Sequence, residues 1–178
     1  GGIRGGKVQL EKFTPRTFNM GFSRHVYEKV GGFREMFSED IDMSTRIRNA
    51  GFNIGLIRDT FVYHKRRVDF KKFFRQVHVF GMSRITLHLL YPGSLKLVHW
   101  LPAMAVLGTA ALVLLAIFVS QWFLLPLAVY LLAIWIMALA STRSIKIATL
   151  AVPASIIQLG GYGTGFLKAY FNKIILGK

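Results

Sequence analysis

Leu97 to Thr142 reads LVHWLPAMAVLGTAALVLLAIFVSQWFLLPLAVYLLAIWIMALAST, without a single Asp, Glu, Lys or Arg. A helix that crosses the hydrocarbon core of a bilayer needs about 20 apolar residues, so this run is long enough for two crossings. Ser120-Gln121 is its most polar point and places a hairpin between spans near Trp100–Val119 and Phe123–Ala140. Trp100, Trp122 and Trp135 supply the aromatic anchors expected at membrane interfaces. A chain of 178 residues with a mean hydropathy of +0.43 and a net charge of +15 reads as a multi-pass membrane protein.

Downstream, Ile147–Leu167 forms a third apolar segment. It is interrupted by Pro153 and Gln158 and carries Gly160, Gly161, Gly163 and Gly165. Gly161 and Gly165 have the G-x-x-x-G spacing that permits close helix contact. A full crossing leaves Lys168, Lys173 and Lys178 on the far side, against the charge rule, whereas a re-entrant helix does not. Three tail helices are the expectation. Arg143 and Lys146 flank the connection after the second span, while the Ser120-Gln121 turn carries no charge. The positive-inside tendency then puts the Arg143 loop and the N-terminal part on the cytoplasmic side of an inner or plasma membrane.

Upstream, Asp69 to Tyr91 has the pattern of a basic amphipathic helix. Phe70, Phe73, Phe74, Val77 and Phe80 form its apolar stripe, and Lys71, Lys72, Arg75, His78 and Arg84 the polar complement. Such a helix can lie in the membrane interface, and Pro92-Gly93 breaks it. Charge is divided unevenly about this point. Residues 1–69 hold 13 Lys/Arg and all 8 Asp/Glu, whereas residues 70–178 hold 10 Lys/Arg and no acid. Carboxylate chemistry is therefore confined to residues 1–69. The absence of cysteine excludes disulfides, thiolate metal sites and a cysteine nucleophile.

In residues 1–68, Gly1 to Pro15 is polar and basic without a clear period. Thr17–Phe22 alternates in the manner of a strand, and Asn53–Ile57 and Thr60–His64 are two further strand candidates. Ser23 can cap a helix over Arg24–Val30 that Gly31-Gly32 ends. A second helix follows the acidic turn Phe37-Ser38-Glu39-Asp40-Ile41-Asp42, with Met43, Ile47 and Ala50 on one apolar face. Alternating helices and short strands predict part of an α/β sheet. So short a stretch cannot bury a complete α/β core, which places the rest of that domain upstream of this chain.

The ordered set Asn19-Met20-Gly21-Phe22-Ser23-Arg24, Val30-Gly31-Gly32-Phe33, Ser38-Glu39-Asp40-Ile41-Asp42, Arg46-Ile47-Arg48-Asn49-Ala50-Gly51 and Val62-Tyr63-His64 resembles family 2 glycosyltransferases. The resemblance covers roughly residues 15–90, and the hydrophobic helices fit its membrane-bound members. It implies a partial GT-A, Rossmann-like α/β domain over residues 1–68. That domain would be followed by the interfacial helix over 69–92 and membrane helices over 97–178. It also implies inverting transfer of a sugar from a nucleotide-sugar donor to an acceptor glycan or lipid-linked acceptor.

Inverting transfer needs a base to take the proton from the attacking hydroxyl, and a positioned carboxylate can do so. By analogy with the family's Glu-Asp motif, Asp40 is that base, with Glu39 in support. Asp42 reads as a first-turn structural acid. Acids at a helix start also serve simply as caps, so the assignment leans on the resemblance. Asn19 would lie on the acceptor side, although an Asn at a turn has a structural reading too. In some members a histidine in the region of His64 completes a divalent metal site, Mn²⁺ or Mg²⁺, held chiefly by an upstream Asp-X-Asp. Lys65, Arg66 and Arg67 would clamp the donor diphosphate or face lipid headgroups. No nucleic-acid motif accompanies them. Gln76 stands where polymer-forming relatives carry Gln-X-X-Arg-Trp. The Arg-Trp pair is missing here, which favours transfer of single sugars. The rival reading is a non-enzymatic membrane anchor or scaffold whose basic helix binds anionic lipid.

Overall fold

The computed structural model describes residues 13–57, 62–63 and 69–177. Six α-helices are ordered along it. They are α1 (Arg24–Val30), α2 (Glu39–Asn49), α3 (Phe70–Leu90), α4 (Leu101–Phe118), α5 (Leu125–Thr142) and α6 (Ile145–Tyr170). Short 3-10 turns occupy Thr17–Asn19, Leu97–His99 and Gln121–Leu124. The chain divides into two compact units, Gly1–Arg66 and Arg67–Lys178.

The expected α/β sheet is not there: among the described residues no strand occurs. Thr17–Asn19, read as the start of a strand, is a 3-10 turn closed by the Asn19 N–H on the Arg16 carbonyl at 2.8 Å. Asn53–Ile57 has no regular secondary structure, and Thr60–His64 lies largely outside the described residues. Alternation of side chains describes two faces of an extended chain. It becomes a strand only where a neighbour completes the hydrogen-bond ladder, and the described residues supply none. The GT-A, Rossmann-like reading of residues 1–68 is corrected accordingly.

In the first unit, α1 starts at Ser23, whose hydroxyl accepts the Val26 N–H at 3.3 Å. It ends at Gly31, whose φ of +76° suits glycine because a Cβ is disfavoured there. Helix α2 has Glu39, Asp40 and Asp42 in its first turn and Arg46 and Arg48 in its last, the arrangement its dipole favours. Met43 and Ile47 are buried as the apolar period requires.

Between these helices Asp42, fully buried, accepts from Arg46 Nε at 2.9 Å and Arg34 Nη1 at 3.1 Å. Arg46 also donates to the carbonyls of Val30 and, at 2.7 Å, Gly32. One guanidinium thus satisfies a buried acid and the orphan carbonyls at the end of α1.

The second unit is built on α6. Helix α3 begins at Asp69, whose carboxylate accepts the Lys72 N–H at 3.0 Å. This contact holds the Asp69 carboxyl below its ordinary pKa. Helices α4 and α5 each place a proline in the first turn, where its missing N–H costs nothing. Helix α6 starts at Ser144, whose hydroxyl faces the Ile147 N–H, and continues through Pro153.

Glycines set the helix contacts. A Cβ at Gly81 would stand 2.1 Å from the Tyr162 carbonyl oxygen, and one at Gly165 would stand 2.0 Å from that of His78. At Gly161 it would meet the Val77 side chain, and at Gly163 the Pro102 carbonyl of α4. The G-x-x-x-G pair therefore joins α6 to α3 within the chain. The contacts pair Val77 with Gly161, His78 with Gly165 and, through a 2.8 Å bond, Thr86 with Lys173, so α3 and α6 run in the same direction. The buried face of α3 thus meets a helix. Ile85, Ala103, Phe166 and Ala169 form the core, edged by Trp100 and Tyr170, whose rings meet at 5.1 Å.

Helices α4 and α5 turn their large apolar side chains outward, among them Leu107, Ile117, Leu132 and Met137. Three segments are long and apolar enough to cross a membrane: Leu101–Phe118, Gln121–Thr142 and Ile145–Ile175. The third includes the segment that Pro153 and the glycines left ambiguous. So much outward apolar surface is stable only in an apolar surrounding.

Two substitutions test these contacts. Gly165→Ala should destabilise the solubilised protein by about 2 kcal/mol or more, because backbone cannot yield to the new methyl. Gly160→Ala, where a Cβ meets nothing within 4 Å, should be neutral or stabilise by up to about 1 kcal/mol. Thermal unfolding in detergent separates the two. Arg46→Met removes one of the two arginines paired with buried Asp42 and should cost about 3 kcal/mol, read as faster amide exchange over residues 24–49.

Candidate functional site

The first turn of α2 carries the candidate chemistry. Asp40 sits one residue inside the helix and is only 5% exposed. Its Oδ2 accepts from Arg16 Nη1 at 2.7 Å, and its Oδ1 accepts the Ile41 backbone N–H at 2.8 Å. A carboxylate this buried requires such partners, and the two donors fix its plane. Glu39 is more accessible, and its Oε1 accepts the Thr17 hydroxyl at 2.7 Å. Ser38, in the left-handed region at φ +68°, turns the chain into the helix so that the two acids point to separate partners.

Both acids are thereby tied to the turn around Thr17–Asn19. Arg16 and Thr17, 24 and 22 residues before their acids, escaped the sequence reading. No local pattern marks them, since only the fold brings them to α2. Asn19 closes this same turn with its backbone N–H, and its side chain is exposed beside the two acids' partners. The turn that ends at Asn19 thus meets Asp40 and Glu39 through Arg16 and Thr17.

Asp42, by contrast, is directed away from this group, into its two arginines. That is the structural part the sequence ascribed to it. His64, Lys65, Arg66 and Arg67 lie outside the described residues, and so do the metal and diphosphate expectations placed on them. Gln76 is half-buried on α3, in the second unit.

Among the described residues no group of three metal-ligating side chains occurs. The acids of α2 do not fit a divalent cation. Asp40 and Asp42 are ion-paired to arginines, and Glu39 is engaged by a hydroxyl. A cation at either aspartate would stand against a guanidinium 2.7–3.1 Å from the carboxylate. What the arrangement offers is a fixed, nearly enclosed carboxylate with a more open acid beside it. Such a group can take a proton from a hydroxyl brought within hydrogen-bond reach.

Comparison with curated proteins and with solved structures gives no match. The family profile described as glycosyl transferase family group 2 matches residues 13–157, from the start of the Arg16 turn into the first half of α6. The match includes both acids of the α2 turn and the apolar helices α4 and α5, and it covers more than half of the chain. The chain therefore belongs to glycosyl transferase family group 2.

Proposed function

We propose that the protein acts in a membrane-anchored, inverting glycosyltransferase of the hexosyltransferase type, with Asp40 as its base. The observation that carries this reading is the paired fixation of Asp40 and Glu39 on the Arg16–Asn19 turn, inside the region matched to the family. The donor is a nucleotide sugar and the acceptor a hydroxyl, lipid-linked in keeping with the three apolar helices, in glycan or surface polysaccharide synthesis. The catalytic part faces the cytoplasm, as the placement of Arg143 and Lys146 favours.

In the transfer step the acceptor oxygen forms a bond to the anomeric carbon. The bond from that carbon to the diphosphate oxygen breaks, and its electron pair leaves with the nucleotide. Asp40 takes the acceptor's proton as the attack proceeds, so one face of the sugar is entered as the other is vacated. Glu39, more open to solvent, orients the acceptor beside Asn19. Arg16 is a positioning residue that holds the Asp40 carboxylate in place. The acceptor reaches Asp40 past the half-buried Arg16 side chain. The divalent ion associated with the family takes no ligand from α2 in this reading, and no step is assigned to it.

Full-length enzyme in native membranes, given a nucleotide-sugar donor, tests the assignment through nucleotide release. Asp40→Asn should lower turnover by about 10²–10⁴-fold while donor binding persists. Unchanged turnover would remove Asp40 from the chemistry. Arg16→Gln keeps the base and loosens its placement, so a smaller loss is expected, roughly tenfold, in kcat rather than KM.

A further inference from the structure

Helices α3 and α6 meet along a seam whose open edge is cationic. His78 Nδ1 on α3 and Thr164 Oγ1 on α6 are hydrogen-bonded at 3.2 Å, and the His78 ring is stacked on Phe74 with centroids 5.8 Å apart. Lys71, Arg75 and His78 follow at i, i+4 and i+7, so they run along one flank of α3. Thr164 and Lys168 stand at i and i+4 on α6 and share a flank of that helix. The His78–Thr164 bond joins the two flanks into one face.

Lys71, Lys72, Arg75, Thr164 and Lys168 are exposed, and His78 is half-buried. None of the four cations forms an ion pair among the described residues. Asp69 is the one acid between Arg67 and Lys178, and its carboxylate is engaged by the Lys72 backbone N–H at the start of α3. Phe70 and Phe74, 42% and 43% exposed, lie one turn apart beside Lys71 and Arg75. The same unit carries the three segments long and apolar enough to cross a membrane. Unneutralised cations beside half-open phenyl rings, on a unit with such segments, match the anionic headgroups at the edge of a bilayer.

We propose that the face formed by Lys71, Arg75, His78, Thr164 and Lys168 docks on the anionic headgroups of the membrane that holds the apolar helices. The Arg75 fork and the two ammonium groups pair with lipid phosphates, and Phe70 enters among the headgroups. Charges are costly within hydrocarbon, so this stretch of α3 and α6 stands at the headgroup level. Docking of this face draws on the second unit alone and needs no part of the transfer chemistry.

The full chain in phosphatidylcholine vesicles, probed by electron spin resonance with spin-labelled phosphatidylglycerol or phosphatidylcholine, tests the docking. Wild type should hold phosphatidylglycerol at least about threefold more strongly, and added salt should weaken that preference. Lys71→Gln combined with Arg75→Gln should bring the two lipids close to equality, and Lys168→Gln alone should lower the preference in part. These side chains are exposed, so thermal unfolding in detergent should not move. Arg143→Gln combined with Lys146→Gln removes the same charge before and at the start of α6 and should retain most of the preference. Equal loss in that control would reduce the effect to net charge and overturn the proposal. A wild type without preference, or an unchanged preference after loss of Lys71 and Arg75, would overturn it as well. Loss of the preference on adding inorganic pyrophosphate at constant ionic strength would make the ligand a water-soluble phosphate and overturn the lipid. Binding of a single-stranded oligonucleotide that needs Lys71 and Arg75, while the lipid preference does not, would assign the face to nucleic acid instead.

Discussion

The close passage of α3 over α6 is the contact on which the second unit depends. Gly81, Gly161 and Gly165 remove the side chains that would otherwise hold the two backbones apart. Without that approach Val77 and Ile85 would not be buried, and the Trp100 ring would lose the seat it shares with Phe166 and Tyr170. Gly163 extends the same device to Pro102 at the start of α4. In an apolar solvent, helix association draws little from hydrophobic burial, so tight van der Waals packing at small residues matters more.

The first unit solves a different problem with charge. Its apolar core is small, led by Met43 and Ile47, and Asp42 is enclosed beside them. Burial of an acid is costly unless every oxygen finds a donor, and Arg34 and Arg46 supply those donors. Arg46 couples this pairing to the end of α1 through two carbonyls. The same helix turn thus holds two aspartates with different tasks. Asp42 is spent on structure, while Asp40, nearly enclosed, is held by Arg16 and the Ile41 backbone N–H.

These findings separate what periodicity can and cannot reveal. The extent of α1, the cap at Ser23, the stop at Gly31 and the apolar spans were legible, because each rests on residues within a turn or two of one another. The strands were misread for the opposite reason. Thr17–Phe22 alternates correctly, yet a strand is a relation between two segments, and no pairing segment stands among the described residues. The stripe on α3 was visible as amphipathic, but its partner, the glycine face of α6, was not.

The sequence by itself determined that charge is segregated, that all acids lie before residue 70, and that three segments can reside in a bilayer. Together with the order of short motifs around Asp40, it also pointed to the glycosyltransferase family that the profile match shows. Only the tertiary structure decided that Arg16 anchors Asp40, that Arg46 unites α1 and α2, and that the glycines of α6 seat α3 and α4. Composition and period are properties of neighbours along the chain. An ion pair 24 residues apart, or a close helix contact between distant segments, exists only after folding has brought its members within a few ångströms, where electrostatics, hydrogen bonding and packing act.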